Sequence, residues 1–184
     1  MRIGLVAPYE ELAKVAEKTA RELGEDIEIA VGNLSKGAKI AREMESSGIE
    51  VIISRGGTAF AIAECVDIPV VEIKVSGFDI LRALHVAKQV DAVVAVIGFR
   101  NVIYNAHTIQ DILGVKVREF MIGSEEEAEP NVARAQAEGI RVVAGDVVST
   151  ACAERYGMKG VLIRSGEEAI AYAIQEAKHV VSIR

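Results

Sequence analysis

The chain has 184 residues, 51% of them hydrophobic and 26% charged, which suits one domain or two small lobes and is too apolar for a disordered chain. Lysine and arginine total 21 against 27 acidic residues, a net charge of −6, so the chain as a whole carries no basic footprint for nucleic acid. Four Phe, four Tyr and no Trp are too few aromatics for a base-stacking platform, and no apolar run approaches the ~18 residues of a membrane span.

The first apolar run, 3–7, lacks the basic start, long apolar stretch and cleavage site of a signal peptide, so a cytoplasmic location is expected. It reads as a strand. The next segment places Leu12, Val15, Ala16, Thr19, Ala20 and Leu23 on one helical face, with Gly24 at its end. A strand over 27–31 follows, then a helix with Gly37, Ile40, Ala41 and Met44 on one face, then a strand over 51–54. The turn Arg55-Gly56-Gly57-Thr58 leads to a helix over 59–66 and a strand over 70–73. Ser76-Gly77 opens a helix through Gln89 with Ile80, Ala83, Leu84 and Ala87 in its stripe. Further strands are expected over 92–97, 115–121, 140–144 and 160–163. The last helix carries Ile170, Ala173, Ile174, Ala177 and Val181 on one face. Continuous apolar strands alternating with helices indicate an α/β fold with parallel sheets.

The two halves end alike. Gly56 to Ser76 and Gly145 to Ser165 span the same interval of 20 residues, each running from a strand end through a helix and a strand to a Ser-Gly helix start. Residue identity between them is low, so the repeat is one of architecture. It predicts two Rossmann-like lobes with four-stranded parallel sheets: residues 1–75 with 166–184, and residues 76–165. The helix from Ser76 would make one crossing and the helix from Ser165 the return. A cleft lined by the carboxyl ends of the strands would then bind ligand.

Among the motifs, Ser54-Arg55-Gly56-Gly57-Thr58 stands first. Glycines allow close backbone approach, first-turn amides favour an anionic oxygen, and Arg55 can grip a carboxylate with two parallel bonds. An ordinary strand-to-helix turn with Arg55 in solvent reads equally well. The segment has neither the Gly-Lys-Ser/Thr ending of a P-loop nor the third glycine of a dinucleotide fingerprint. Ser76-Gly77-Phe78-Asp79 matches a capping box, as do the segments from Ser124 and Ser165. For the latter two a cap suffices, whereas Ser76 is equally a cap or a ligand contact. Gly98-Phe99-Arg100-Asn101 and Gly145-Asp146 fall at corresponding loops of the second half, with Asp146 also a natural N-cap.

No catalytic or metal set assembles. His85, His107 and His179 are isolated, and Cys65 and Cys152 lie too far apart for a zinc or redox motif. The two cysteines would suit a two-lobed racemase, but both are expected within helices, beyond the reach of a bound ligand. Neither cofactor nor metal is expected.

The run Val51-Ile-Ile-Ser-Arg-Gly-Gly-Thr-Ala59, then Ile68-Pro-Val-Val-Glu-Ile-Lys-Val-Ser-Gly-Phe-Asp-Ile-Leu81, resembles the N-terminal sensory domain of propionate-catabolism activators of the PrpR type. The stretch Ala144-Gly-Asp-Val-Val-Ser-Thr-Ala-Cys152 and onward to Ile163 is similar to that domain's second-lobe signature. The resemblance extends over nearly the whole chain and implies a periplasmic-binding-protein-like fold and a sensor of a small metabolite, a tricarboxylate in the propionate regulators. It implies release of an ATPase domain that works with sigma factor 54. By position it implies contacts from Arg55, Gly56, Gly57, Thr58, Ser76, Gly77, Phe99, Arg100, Asn101, Gly145 and Asp146, with the loop around Tyr9 as a further member. Arg55 and Asp146 depart from the small residues of the propionate regulators, which implies a different ligand.

The expected protein is a non-enzymatic sensor for a small anionic metabolite, a di- or tricarboxylate, with no direct contact to nucleic acid or membrane. Its expected partners are the ATPase and DNA-binding domains of a parent regulator, which lie outside this chain, and a homodimer is left open. Rival readings are a free-standing racemase or isomerase and a structural dimerisation module.

Overall fold

The computed structural model describes residues 1–183. Eight strands and the helices between them divide into two units, Met1–Lys74 with Ser165–Arg184, and Val75–Arg164. In the first unit β1 (Ile3–Ala7), β2 (Ile27–Val31), β3 (Val51–Ser54) and β4 (Val70–Glu72) form a parallel sheet in the order β2-β1-β3-β4. The crossovers are α1 (Glu10–Leu23), α2 (Leu34–Ser46) and α3 (Gly56–Ala63). In the second unit β5 (Val93–Phe99), β6 (Lys116–Ile122), β7 (Val142–Gly145) and β8 (Lys159–Leu162) repeat the pattern as β6-β5-β7-β8.

Position in the sheet explains the composition of each strand. The inner strands β1, β3 and β7 are buried at every residue, and β5 at all but its first, because helices cover both faces. The edge strands β2 and β8 are only partly buried and admit Glu28 and Lys159. On one face of the first sheet Ile3, Leu5 and Ala7 pack beneath Leu12 and Ala16 of α1 and beneath Ile170 and Ile174 of α9 (Glu167–Ser182). On the other face Val6 and Ile52 pack against Ala41 and Met44 of α2 and Ile62 of α3. The second core joins Ile80, Ala83 and Leu84 of α4 (Gly77–Lys88) to Val94, Val96, Val142 and Ala144.

Several boundaries differ from the sequence expectation. The third helix begins three residues early, at Gly56, where φ of 59° turns the chain out of the extended Arg55 in a conformation glycine adopts without strain. Gly98 and Phe99 are the last residues of β5 and not a loop. Between β5 and β6 the chain forms α5 (Arg100–Ile103), a 3-10 turn (Ala106–Ile109) and α6 (Gln110–Leu113), interrupted at Asn105, whose φ is 60°. Helices α7 (Ala128–Ala137) and α8 (Val147–Arg155) complete the unit. Leu23, assigned to the buried stripe of α1, is exposed at the helix end. Among the described residues no helix is long and apolar enough to cross a membrane.

Candidate functional site

In each sheet the connections leaving the two central strands run to opposite flanks, which makes the carboxyl ends of those strands the point where open α/β sheets bind ligands. In the first unit these are β1 and β3, followed by Tyr9 and Arg55. In the second they are β5, ending in Phe99, and β7, followed by Asp146. At both points the two residues are bonded to each other.

Arg55 is 3% exposed, unlike the solvated side chain that the bland reading of its turn allowed. Its Nη1 donates to the hydroxyl of Tyr9 at 3.0 Å and to that of Ser165 at 2.9 Å, and its guanidinium carbon lies 5.3 Å from the centre of the Tyr9 ring. The Tyr9 hydroxyl also accepts from the backbone N–H of Ser165 at 3.2 Å. Tyr9 and Ser165 therefore hold the Arg55 guanidinium at the carboxyl edge through hydroxyl oxygens and a ring face.

Arg55 is also the N-cap residue of α3, a position where Ser, Thr, Asp or Asn would offer an acceptor to the first-turn amides. Its side chain makes no capping bond. Gly56 and Gly57 form the first turn and are buried. Thr58 is committed elsewhere: its hydroxyl donates to Asn33 Oδ1 and accepts from the Leu34 N–H, both at 2.9 Å, which ties α3 to the start of α2.

The second unit answers the same position with an acid. Asp146 is 7% exposed; its Oδ1 accepts from the Ser149 N–H at 3.0 Å and caps α8, and its Oδ2 accepts from the Phe99 N–H at 2.9 Å. One carboxylate thus fixes both the end of β5 and the start of α8. Gly145 is required there by contact: a Cβ would fall 1.8 Å from the carbonyl oxygen of Ile97 on β5. Arg100, next along, is exposed. Asn101 has both amide atoms buried and without a partner, and the hydroxyl of Ser149, a fully buried residue, is in the same condition.

Ser76 forms a reciprocal capping box with Asp79, accepting from the Asp79 N–H at 3.1 Å while its own N–H donates to Asp79 Oδ2 at 2.9 Å. Arg82 donates to the second oxygen of Asp79. Gly77 beside it is exposed. The two other expected capping boxes do not form. Gly166, not Ser165, is the N-cap of α9, and Ser165 is bound to Arg55 instead. Ser124 makes no side-chain capping bond, and Glu127 accepts from the Gly123 N–H.

The structure therefore joins Arg55 to Tyr9 and Ser165, and Phe99 to Asp146 and Ser149. Sequence reasoning gave Tyr9 a marginal place, gave Ser165 only to capping and left out Ser149. The equal Ser76 and Ser165 positions of the repeat were the one signal that could have raised Ser165. Cys152 is buried, and burial pushes its thiol above the usual cysteine range; Cys65 follows the end of α3 with its thiol toward the carbonyls of Ile62 and Ala38. The burial of Cys152 works against a thiolate there. Among the described residues no group of three or more His, Cys, Asp or Glu side chains could hold a metal ion.

A crystal structure of an NtrC family transcriptional regulator from Clostridium acetobutylicum is 33% identical, with 100% of this chain and 98% of that chain covered and a TM-score of 0.92. At the level of fold alone, an ABC domain from Streptococcus pneumonia in complex with L-Trp matches at 10% identity and a TM-score of 0.51, over 99% of this chain and 84% of that one. A LACI family transcription regulation repressor from Corynebacterium glutamicum matches at 14% identity and a TM-score of 0.50, over 98% and 91%. The sequence model of the propionate catabolism activator family, PrpR_N, matches residues 21–184. With two four-stranded parallel sheets and a match over most of its length, the chain belongs to the propionate catabolism activator family, as an N-terminal regulatory domain of transcriptional activators.

Proposed function

We propose that this domain senses a small carboxylate metabolite in the cytoplasm, binding it at the carboxyl ends of its strands, and that occupancy relieves inhibition of the ATPase domain of a parent regulator. The observation that carries the reading is the buried Arg55 guanidinium, held by two hydroxyls at the uncapped start of α3. Three kinds of donor converge there: the guanidinium, the first-turn amides and the hydroxyl groups. Such a set suits a carboxylate oxygen, and its pre-positioning lowers the ordering cost of binding.

The candidate contacts are Arg55, Gly56 and Gly57 at the carboxyl edge of the first sheet and, taken separately, Phe99, Arg100, Asn101, Gly145 and Asp146 at that of the second. Ser76, Gly77 and Thr58 stand behind them as elements that hold the loops. A ligand that binds one arrangement of the protein better than another would shift it toward that arrangement by its differential affinity, and that shift would be the output. Calorimetric titration with mono-, di- and tricarboxylates tests the proposal. At least one should bind, with the Arg55→Ala variant losing about tenfold or more in affinity. Binding by none of them, or undiminished binding by Arg55→Ala, refutes it.

A further inference from the structure

The strand β8 lies at the edge of the second sheet and pairs with β7 on one side only. The Lys159 N–H donates to the Arg141 carbonyl at 3.0 Å and the Ile163 N–H to that of Gly145 at 2.8 Å, so Lys159, Val161 and Ile163 bond toward β7. Backbone groups alternate sides along a strand, so those of Gly160 and Leu162 face the open side. There the Gly160 N–H is taken by Glu154 Oε1 at 3.0 Å, while the Gly160 carbonyl and both backbone groups of Leu162 have no partner among the described residues. An unpaired edge of this kind is a template for another strand. Beside it lies a groove of about 410 Å³ between β8 and α4, within the second unit. Its apolar lining includes Ala83, Val86 and Val161, and Arg82 and Lys159 add cations. Val86 is 51% exposed, and Val161, in one core with Ala83, shares its face of the strand with Lys159. The one acid of the lining is Asp79, whose oxygens already accept from the Ser76 N–H and from Arg82.

We infer that the β8 edge is a docking site for an extended segment of a partner protein, added to the sheet as a further strand and carrying the pattern acid-x-aliphatic-x-acid. The backbone bonds come from Leu162 and the Gly160 carbonyl. Alternate side chains of the added strand face α4. In that row an aliphatic side chain covers Val86, and carboxylates two residues to either side meet Lys159 and Arg82. The same strand of a second copy is a poorer occupant, because residues 159–164 contain no acid and would set Lys159 against a cationic lining.

The test follows the fluorescence anisotropy of three labelled peptides titrated with the whole chain: Thr-Glu-Thr-Val-Thr-Glu-Thr, its counterpart with lysine in place of glutamate, and the glutamate peptide with its backbone amides N-methylated. The net charge of −6 favours the lysine peptide in any non-specific association, so a preference for glutamate reports the groove. The glutamate peptide should bind saturably, about tenfold or more tightly than either of the others. Lys159→Glu, at an exposed side chain, should leave the melting curve in place and reverse the order of the two charged peptides. Hydrogen exchange at the Leu162 N–H should slow about tenfold or more when the glutamate peptide is bound. No saturable binding of the glutamate peptide, equal binding of the lysine or N-methylated peptide, or an order that survives Lys159→Glu overturns the inference. So does protection of the Leu162 N–H without peptide that rises with dimer mass in sedimentation, since the edge would then belong to a second copy.

Discussion

Arg55 donates a hydrogen bond of 2.9 Å to the hydroxyl of Ser165, a residue 110 positions later in the chain. The contact fastens the turn after β3 to the segment that opens α9, so the start of a helix packed on the first sheet and the cation at that sheet's edge hold each other. Ser165→Ala removes one acceptor from a buried guanidinium. The variant should unfold with about 1.5 to 3 kcal/mol less stability in urea titration, the usual worth of a buried hydrogen bond to a charged group. An unchanged midpoint would show that the hydroxyl contributes nothing to the clamp.

Asp146 carries two structural bonds through one side chain, and its replacement should show both. Asp146→Ala loses the cap of α8, worth about 1 kcal/mol, and strands the buried Phe99 N–H, at about 1 to 3 kcal/mol. Asp146→Asn should lie between the two proteins, since its amide oxygen serves one N–H while its amide nitrogen meets the other donor. Chemical denaturation of the three proteins checks the order.

Gly145→Ala should fail to give the native fold. The added methyl would fall 1.8 Å from the Ile97 carbonyl oxygen, and that oxygen belongs to the backbone of a central strand paired on both sides. A cost of at least about 3 kcal/mol follows from overpacking that cannot relax by a rotamer change. Circular dichroism melting of the purified variant measures it, and a native-like melting curve would contradict the packing described.

The two thiols should differ in reactivity. Burial raises the Cys152 pKa above that of an ordinary thiol, so less of it is thiolate than of an exposed cysteine at the same pH, and it is shielded as well. Cys65 is only partly buried. Labelling single-cysteine variants with a chromogenic disulfide should modify Cys65 at least about tenfold faster than Cys152, the difference vanishing in denaturant.

Much of this was open to reading from the chain. All eight strands lie within two residues of where apolar runs placed them, because a strand buried on both faces has no freedom to carry polar residues. Gly24 follows the helix it was expected to close, with φ of 70°. The 98–114 stretch was less legible: four-residue helices separated by a 3-10 turn are too short for a periodic pattern. Capping was half legible. Ser76 and Ser165 carry the same local signal, yet only Ser76 caps its helix.

The sequence by itself determined the order of elements, the parallel sheets and the paired loops, because period and punctuation are local properties that nearest neighbours in the chain encode. Only the tertiary structure decided which polar side chains serve which loop. Arg55 is joined to Tyr9 and Ser165 across 46 and 110 positions, Asp146 is joined to Phe99 across 47, and the side-chain polar atoms of Asn101 and Ser149 are left without a partner. Those outcomes depend on strand order, which sets residues distant in the chain side by side at one sheet edge, and no local pattern records that adjacency.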